Sequence, residues 1–200
     1  DLGVAPDEML IGTVGRFSPG KGHEELLEAA RILMTRGLRF KLLVAGEASY
    51  GERDYEQRIR ALAQTLGLAR IVRFTGFRRD VPEVMSALDL FVFPSHAEAF
   101  GLVLIEAMAM ERPVVSTNCD GVVDIVVDGV TGLTVPPKDP GALAAAIEQM
   151  LADGPLRERS GKAGRQRVLE LFDQEKQIDR LESTYAELMA EARAPEAPSR

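Results

Sequence analysis

Two short segments of this chain carry residue types and spacings suited to chemistry. The first is 15-GRFSPGKGH-23, where Gly15, Gly20 and Lys21 match the G-x-x-x-x-G-K frame of a phosphate-binding loop. In a metal-nucleotide loop the next residue is Ser or Thr, whose hydroxyl holds Mg²⁺ against the β- and γ-phosphates. Here it is Gly22. The segment offers an anion close backbone approach, the planar fork of Arg16 and the point charge of Lys21, but no metal ligand. The second segment is 94-PSHAEAFGLVLIEAMAMERPVV-115, with Glu98 in a loop and Glu106 in an otherwise apolar helix. A carboxylate on an apolar helix face costs several kcal/mol unless it is paired or hydrogen-bonded. A pair of ribose hydroxyls is one fitting partner. A helix residue on the wet side is the plainer alternative. Between the two acids, Phe100, Gly101 and Leu102 would present free amides at a helix N-terminus, where an anion is favoured.

These segments sit in an alternating pattern. Apolar runs at 9–15, 40–46, 71–76, 90–94, 113–117 and 132–135 read as strands. Between them 22–37, 54–67, 80–88 and 101–110 have helical spacing, and 122–129 reads as a turn or short helix. The 101–110 helix is apolar enough to be buried, and Asp80 is placed to cap the 80–88 helix. After Pro136-Pro137 three helices follow without strands, near 139–153, 155–172 and 174–192. The residues 193–200 read as a disordered tail after one domain, 1–192. Strands alternating with helices predict an α/β fold: a doubly wound, Rossmann-like parallel sheet of about six strands, with helices on both faces and extra C-terminal helices. In such sheets ligands sit beyond the carboxyl ends of the strands, which is where both chemical segments fall.

The pattern Glu98-x₇-Glu106 within PSHAEAFGLVLIEAMA resembles the E-x₇-E motif of the group 1 glycosyltransferases, retaining enzymes of GT-B architecture. GRFSPGKG resembles the phosphate loop of that family, and the likeness runs from about Leu10 to Leu151. The resemblance implies one half of a GT-B fold, the C-terminal domain that binds a UDP-sugar or GDP-sugar donor. The N-terminal acceptor domain of the full-length protein would be its partner, and the acceptor itself is not legible. The start without Met, at DLGVAPDE, agrees with a piece of a longer chain. By position, Arg16, Lys21 and Glu98 would be the catalytic residues: the two cations hold the diphosphate and stabilise the leaving group, and Glu98 contacts the sugar hydroxyls. Gly15 would allow close approach, Glu106 would bind the ribose hydroxyls, and the amides of Phe100, Gly101 and Leu102 would meet the sugar or distal phosphate. Gly76 and Phe77 would pack near the base. Neither a metal nor another cofactor is implied, because the protein itself neutralises the donor's charge. The half-enzyme alone would bind donor weakly and transfer nothing. Where the family has Gly-Gly-Glu after strand five, this chain has Asp120-Gly121-Val122-Val123-Asp124, which changes the rim of the site.

Composition narrows the rivals. Net charge is −7 over 200 residues, so no general attraction to nucleic acid is expected. Cys119 is the one cysteine, which fits a reducing, cytoplasmic setting. Enzymes of the resembling type often touch membranes through the acceptor half. A P-loop NTPase fragment would need the missing Ser or Thr and a strand-ending Asp. A plain NAD-binding module is disfavoured by the glycine spacing, although Glu47 could close strand two for a ribose. A GT-B sugar-nucleotide epimerase is the remaining rival. His23 opens the first helix and His96 sits in the Glu98 loop; they are too far apart in sequence to suggest a metal site, and His96 reads as a surface loop residue, with a place lining the site as the alternative. Asp120, Asp124 and Asp128 recur every fourth residue without a cation-binding spacing. Arg78-Arg79-Asp80 reads as a wet turn, with help to the base or phosphate as the alternative, and Cys119 as a small core filler.

Overall fold

The computed structural model describes residues 4–5 and 8–193. Six parallel strands form one sheet in the order β3-β2-β1-β4-β5-β6: β1 Met9–Val14, β2 Phe40–Ala45, β3 Val72–Gly76, β4 Leu90–Phe93, β5 Val114–Thr117 and β6 Gly132–Val135. The crossovers are α1 His23–Thr35, α2 Arg53–Thr65, α3 Val81–Ala87, α4 Leu102–Ala109 and the single turn α5 Val122–Ile125. Three further helices follow: α6 Pro140–Ala152, α7 Gly154–Leu171 and α8 Gln174–Arg193. Each expected element is present, with ends shifted by a residue or two and α5 shorter than its segment. The tail expected at 193–200 lies outside the described residues from 194 onward, and Arg193 closes α8.

The strands sort their side chains by alternation. Ile11, Leu42, Val44, Val92 and Val115 meet α1, α2 and α6 on one face. Leu10, Leu43, Phe91, Phe93 and Val114 meet α3, α4, α5 and α7 on the other. Strands β4 and β5 are buried along their whole length, as residues covered on both sides must be. The topology reverses between β1 and β4: β1 pairs with β2 on one side (Ile11 opposite Leu42) and with β4 on the other (Ile11 opposite Leu90). A crevice opens at the carboxyl ends of strands at such a reversal, and the loops 15–22 and 94–101 leave from there.

Two sequence-based details are corrected. Helix α4 is not buried all round: Leu104, Ala107 and Met108 face the core, but Leu102 is 67% exposed and Glu106 is on the open side. Asp80 occupies the N-cap position of α3 without capping it, because its carboxylate is taken by Arg78. Helix α8 keeps its apolar residues Ile178, Leu181, Tyr185, Leu188 and Met189 exposed among the described residues. No helix among them is long and apolar enough to cross a membrane.

Candidate functional site

The loop after β1 is built by close backbone contacts. Phe17 is fully buried and stacks on the His23 ring, centroids 4.5 Å apart, which pins the middle of the loop to the first turn of α1. Gly22 enters α1 at φ +71, and a Cβ there would lie 1.9 Å from the Pro94 carbonyl oxygen. Only glycine lets this loop touch the one after β4. The Gly15 carbonyl presses on Gly46 just as closely, since a Cβ on Gly46 would come within 1.8 Å of it.

Two adjoining cavities result. The first, of 460 Å³, is bounded by Gly15, Arg16, Lys21 and His23 on one side and by Glu98, Phe100, Gly101, Leu102 and Glu106 on the other. The second, of 380 Å³, runs from Gly15 and Arg16 past Glu47 and Ser49 to Phe77 and Arg78. Gly15 and Arg16 line both, so Arg16 stands where the two meet; its Nη1 reaches Ser49 Oγ at 3.3 Å. Helices α1 and α4 both begin after a left-handed glycine, Gly22 and Gly101, with no side chain to cap the first amides. Both ends border the first cavity, so two positive dipole ends and two cations converge on one space.

The acids are placed as follows. Lys21 Nζ sits 2.5 Å from Glu98 Oε2. The loop that carries Glu98 is held by a two-way clasp: the Glu98 amide donates to Asp120 Oδ2 at 3.2 Å, and the Gly121 amide donates to the Glu98 carbonyl at 3.1 Å. Gly121 cannot carry a Cβ here without one meeting the Ala99 carbonyl oxygen at 2.2 Å. The unusual Asp120-Gly121 pair is therefore a brace for the loop, a role its spacing did not reveal. Among the described residues Glu106 has no basic partner, and partial burial raises its carboxyl pKa above the usual range.

Of the expected site residues, Gly15, Arg16, Lys21, Glu98, Phe100, Gly101, Leu102 and Glu106 share the first cavity, and Phe77 lines the second with 62% of its surface exposed. Gly76 lines neither; its carbonyl accepts the Gly46 amide at 2.9 Å. Three other readings change or sharpen. His96 is not a free surface residue: its Nε2 lies 2.9 Å from Glu25 Oε1, with both side chains largely covered. His23 opens α1, as expected, and also borders the first cavity. It is 4% exposed, and burial pushes its pKa down to about 4, so it is neutral at pH 7. Arg78 pairs with Asp80 in an exposed turn, as read, and also borders the second cavity. Cys119 is a buried filler whose thiol points at the Ser95 carbonyl, 3.4 Å away. The Asp120, Asp124 and Asp128 series does not converge, and no group of three His, Cys, Asp or Glu suited to a metal occurs among the described residues.

A profile of the glycosyl transferases group 1 matches residues 1–167. The chain belongs to the group 1 glycosyltransferase family. It is 38% identical over 190 residues to the capsular polysaccharide biosynthesis glycosyltransferase CapM of Staphylococcus aureus, covering 93% of this chain and 48% of that protein. The Anabaena Alr3699/HepE structure in complex with UDP and glucose superposes with a TM-score of 0.85 at 28% identity, covering 90% of this chain and 49% of that one. The C-terminal domain of LpcC, a glycosyl transferase group 1 family protein from Francisella tularensis, superposes with a TM-score of 0.77 at 30% identity, covering 84% and 88%. This group 1 chain thus has the Rossmann-like fold of a GT-B C-terminal domain, and it spans about half the length of the curated relatives it matches.

Proposed function

We propose that this domain binds the nucleoside-diphosphate sugar of a retaining glycosyltransferase and that the full-length protein transfers the sugar to an acceptor held by an N-terminal domain. One observation carries the reading: Arg16, Lys21 and two uncapped helix N-termini converge on a cavity that continues, past Arg16, to the exposed Phe77. A diphosphate at the convergence leaves room for a base toward Phe77 and a sugar toward Glu98. Glu106, on the open wall of the first cavity, accepts hydrogen bonds from the ribose hydroxyls. The charge that develops on the departing diphosphate meets groups already in place, which is how preorganised dipoles and cations lower a barrier. Metal-independent charge neutralisation by the protein is part of the proposal. The Alr3699/HepE structure in complex with UDP supports the choice of ligand class.

Isothermal titration with UDP, GDP and ATP, each with and without Mg²⁺, tests it. The proposal expects a nucleoside diphosphate to bind without Mg²⁺. Binding that strictly requires Mg²⁺ and prefers ATP would overturn it.

A further inference from the structure

We infer that Glu25 and His96 form a latch that keeps the two halves of the donor cavity in register when Lys21 leaves Glu98 for the diphosphate. The inference rests on the donor-binding reading above. Three ties join the loop after β1, with the first turn of α1, to the loop after β4: the Lys21–Glu98 ion pair, the His96 amide donating to the Gly20 carbonyl at 2.8 Å, and the Glu25–His96 pair at 2.9 Å. The first tie is made of groups that the donor needs, so it cannot also serve as the fastener in the bound state. Neither Glu25 nor His96 borders the cavity, which leaves this pair free to stay closed throughout.

The pair has a second effect. Glu24 and Glu25 both lie in the first turn of α1, beside the helix end proposed for the anion. A carboxylate there repels a diphosphate and competes for the dipole. Glu24 is already engaged, with the Tyr55 hydroxyl donating to it at 2.6 Å and Arg58 at 3.2 Å. Glu25 is paired with His96. The contact is a close electrostatic one out of hydrogen-bonding line: among the described residues both His96 Nε2 and Glu25 Oε2 are buried without a hydrogen-bond partner. Loss of the imidazole leaves a largely covered carboxylate in the first turn of α1 without its neighbour, and removes a side-chain tie from the loop that carries Glu98. His96 and Glu25 are therefore positioning residues.

The test compares His96→Ala, His96→Gln and the double variant His96→Ala with Glu25→Ala. Two readouts are taken: affinity for UDP, and amide hydrogen exchange at Glu98 and Gly121, with Leu43 in β2 as a distant control. His96→Ala should weaken UDP about tenfold and speed exchange at Glu98 and Gly121 at least tenfold, with Leu43 unchanged. His96→Gln, which keeps a donor, should recover both within threefold. The double variant should bind UDP no worse than His96→Ala, because His96 acts through Glu25. An affinity within twofold of wild type in His96→Ala overturns the latch, as does a His96→Gln variant as weak as Ala, or a double variant that binds UDP more weakly than His96→Ala. Should the wild type itself bind neither UDP nor GDP, the donor reading falls, and the exchange comparison alone decides the latch: unchanged exchange at Glu98 and Gly121 in His96→Ala refutes it.

Discussion

Replacing Glu98 by Gln should tighten UDP while weakening the corresponding sugar nucleotide. In the open site Lys21 Nζ is 2.5 Å from Glu98 Oε2, and the two side chains are 27% and 19% exposed. A diphosphate must draw Lys21 away from that partner. A partly exposed pair of this kind is worth about 1 kcal/mol, so freeing the ammonium should improve UDP affinity about fivefold. A UDP-sugar gains the same amount but loses the carboxylate contact to its hydroxyls, a charged hydrogen bond worth about 1.5–3 kcal/mol. Lys21→Ala, by contrast, removes a charge-assisted bond of about 1.5–3 kcal/mol and is spared the breaking of the pair, so the net loss is roughly 3- to 30-fold. In the Glu98→Gln background the same change should cost the full amount, about 10- to 150-fold. Titration calorimetry of the two single variants and the double variant with UDP and with a UDP-sugar measures all of these. Should Glu98→Gln weaken UDP as much as the sugar nucleotide, or Lys21→Ala leave UDP affinity unchanged in both backgrounds, the assignment of these residues is wrong.

Further outcomes follow from the same geometry. Gly22→Ala should lower stability by about 3 kcal/mol, from its left-handed backbone and a methyl driven onto the Pro94 carbonyl, and thermal unfolding will show it. His23 contributes stability that depends on pH: its folded pKa of about 4 lies below the ordinary 6.5, so the contribution is complete above pH 6.5 and drains as the pH falls toward 4. That shift corresponds to about 3 kcal/mol, and denaturant unfolding of wild type against His23→Gln across this range should show the difference shrinking as the pH falls. Phe77→Ala should weaken UDP by about 1–3 kcal/mol, the scale of base–aromatic stacking, with little change in melting temperature; equal binding would remove the base from the second cavity.

Much of the fold was legible because most strands are apolar runs and α1, α2, α6 and α7 each have a buried stripe that their neighbours cover. LFVF at 90–93 has one environment open to it, a strand buried on both faces, and it occupies that place. The first cavity was legible for a related reason: glycines at 20, 22 and 101 and charged residues at strand ends are poor choices for anything except a tight, polar turn. What stayed hidden depends on contacts between distant segments. The clasp of Asp120 and Gly121 on Glu98 joins residues 22 positions apart and leaves no periodic trace. The burial of His23 depends on Phe17 and on Tyr55 from another helix. His96 looked free because Glu25, its partner, sits far away in the chain. Helix α4 misled for the opposite reason: its composition is apolar, but Leu102 and Glu106 border the open cavity instead of the core.

The most direct measurement is a crystal structure of the domain soaked with UDP-glucose or a GDP-sugar. The account predicts the diphosphate within about 3.5 Å of Arg16, Lys21 and the first amides of α1 or α4, the ribose hydroxyls on Glu106, and the base against Phe77. A ligand seated away from both loops, or one whose phosphates are held by a metal ion and not by these cations, would contradict it.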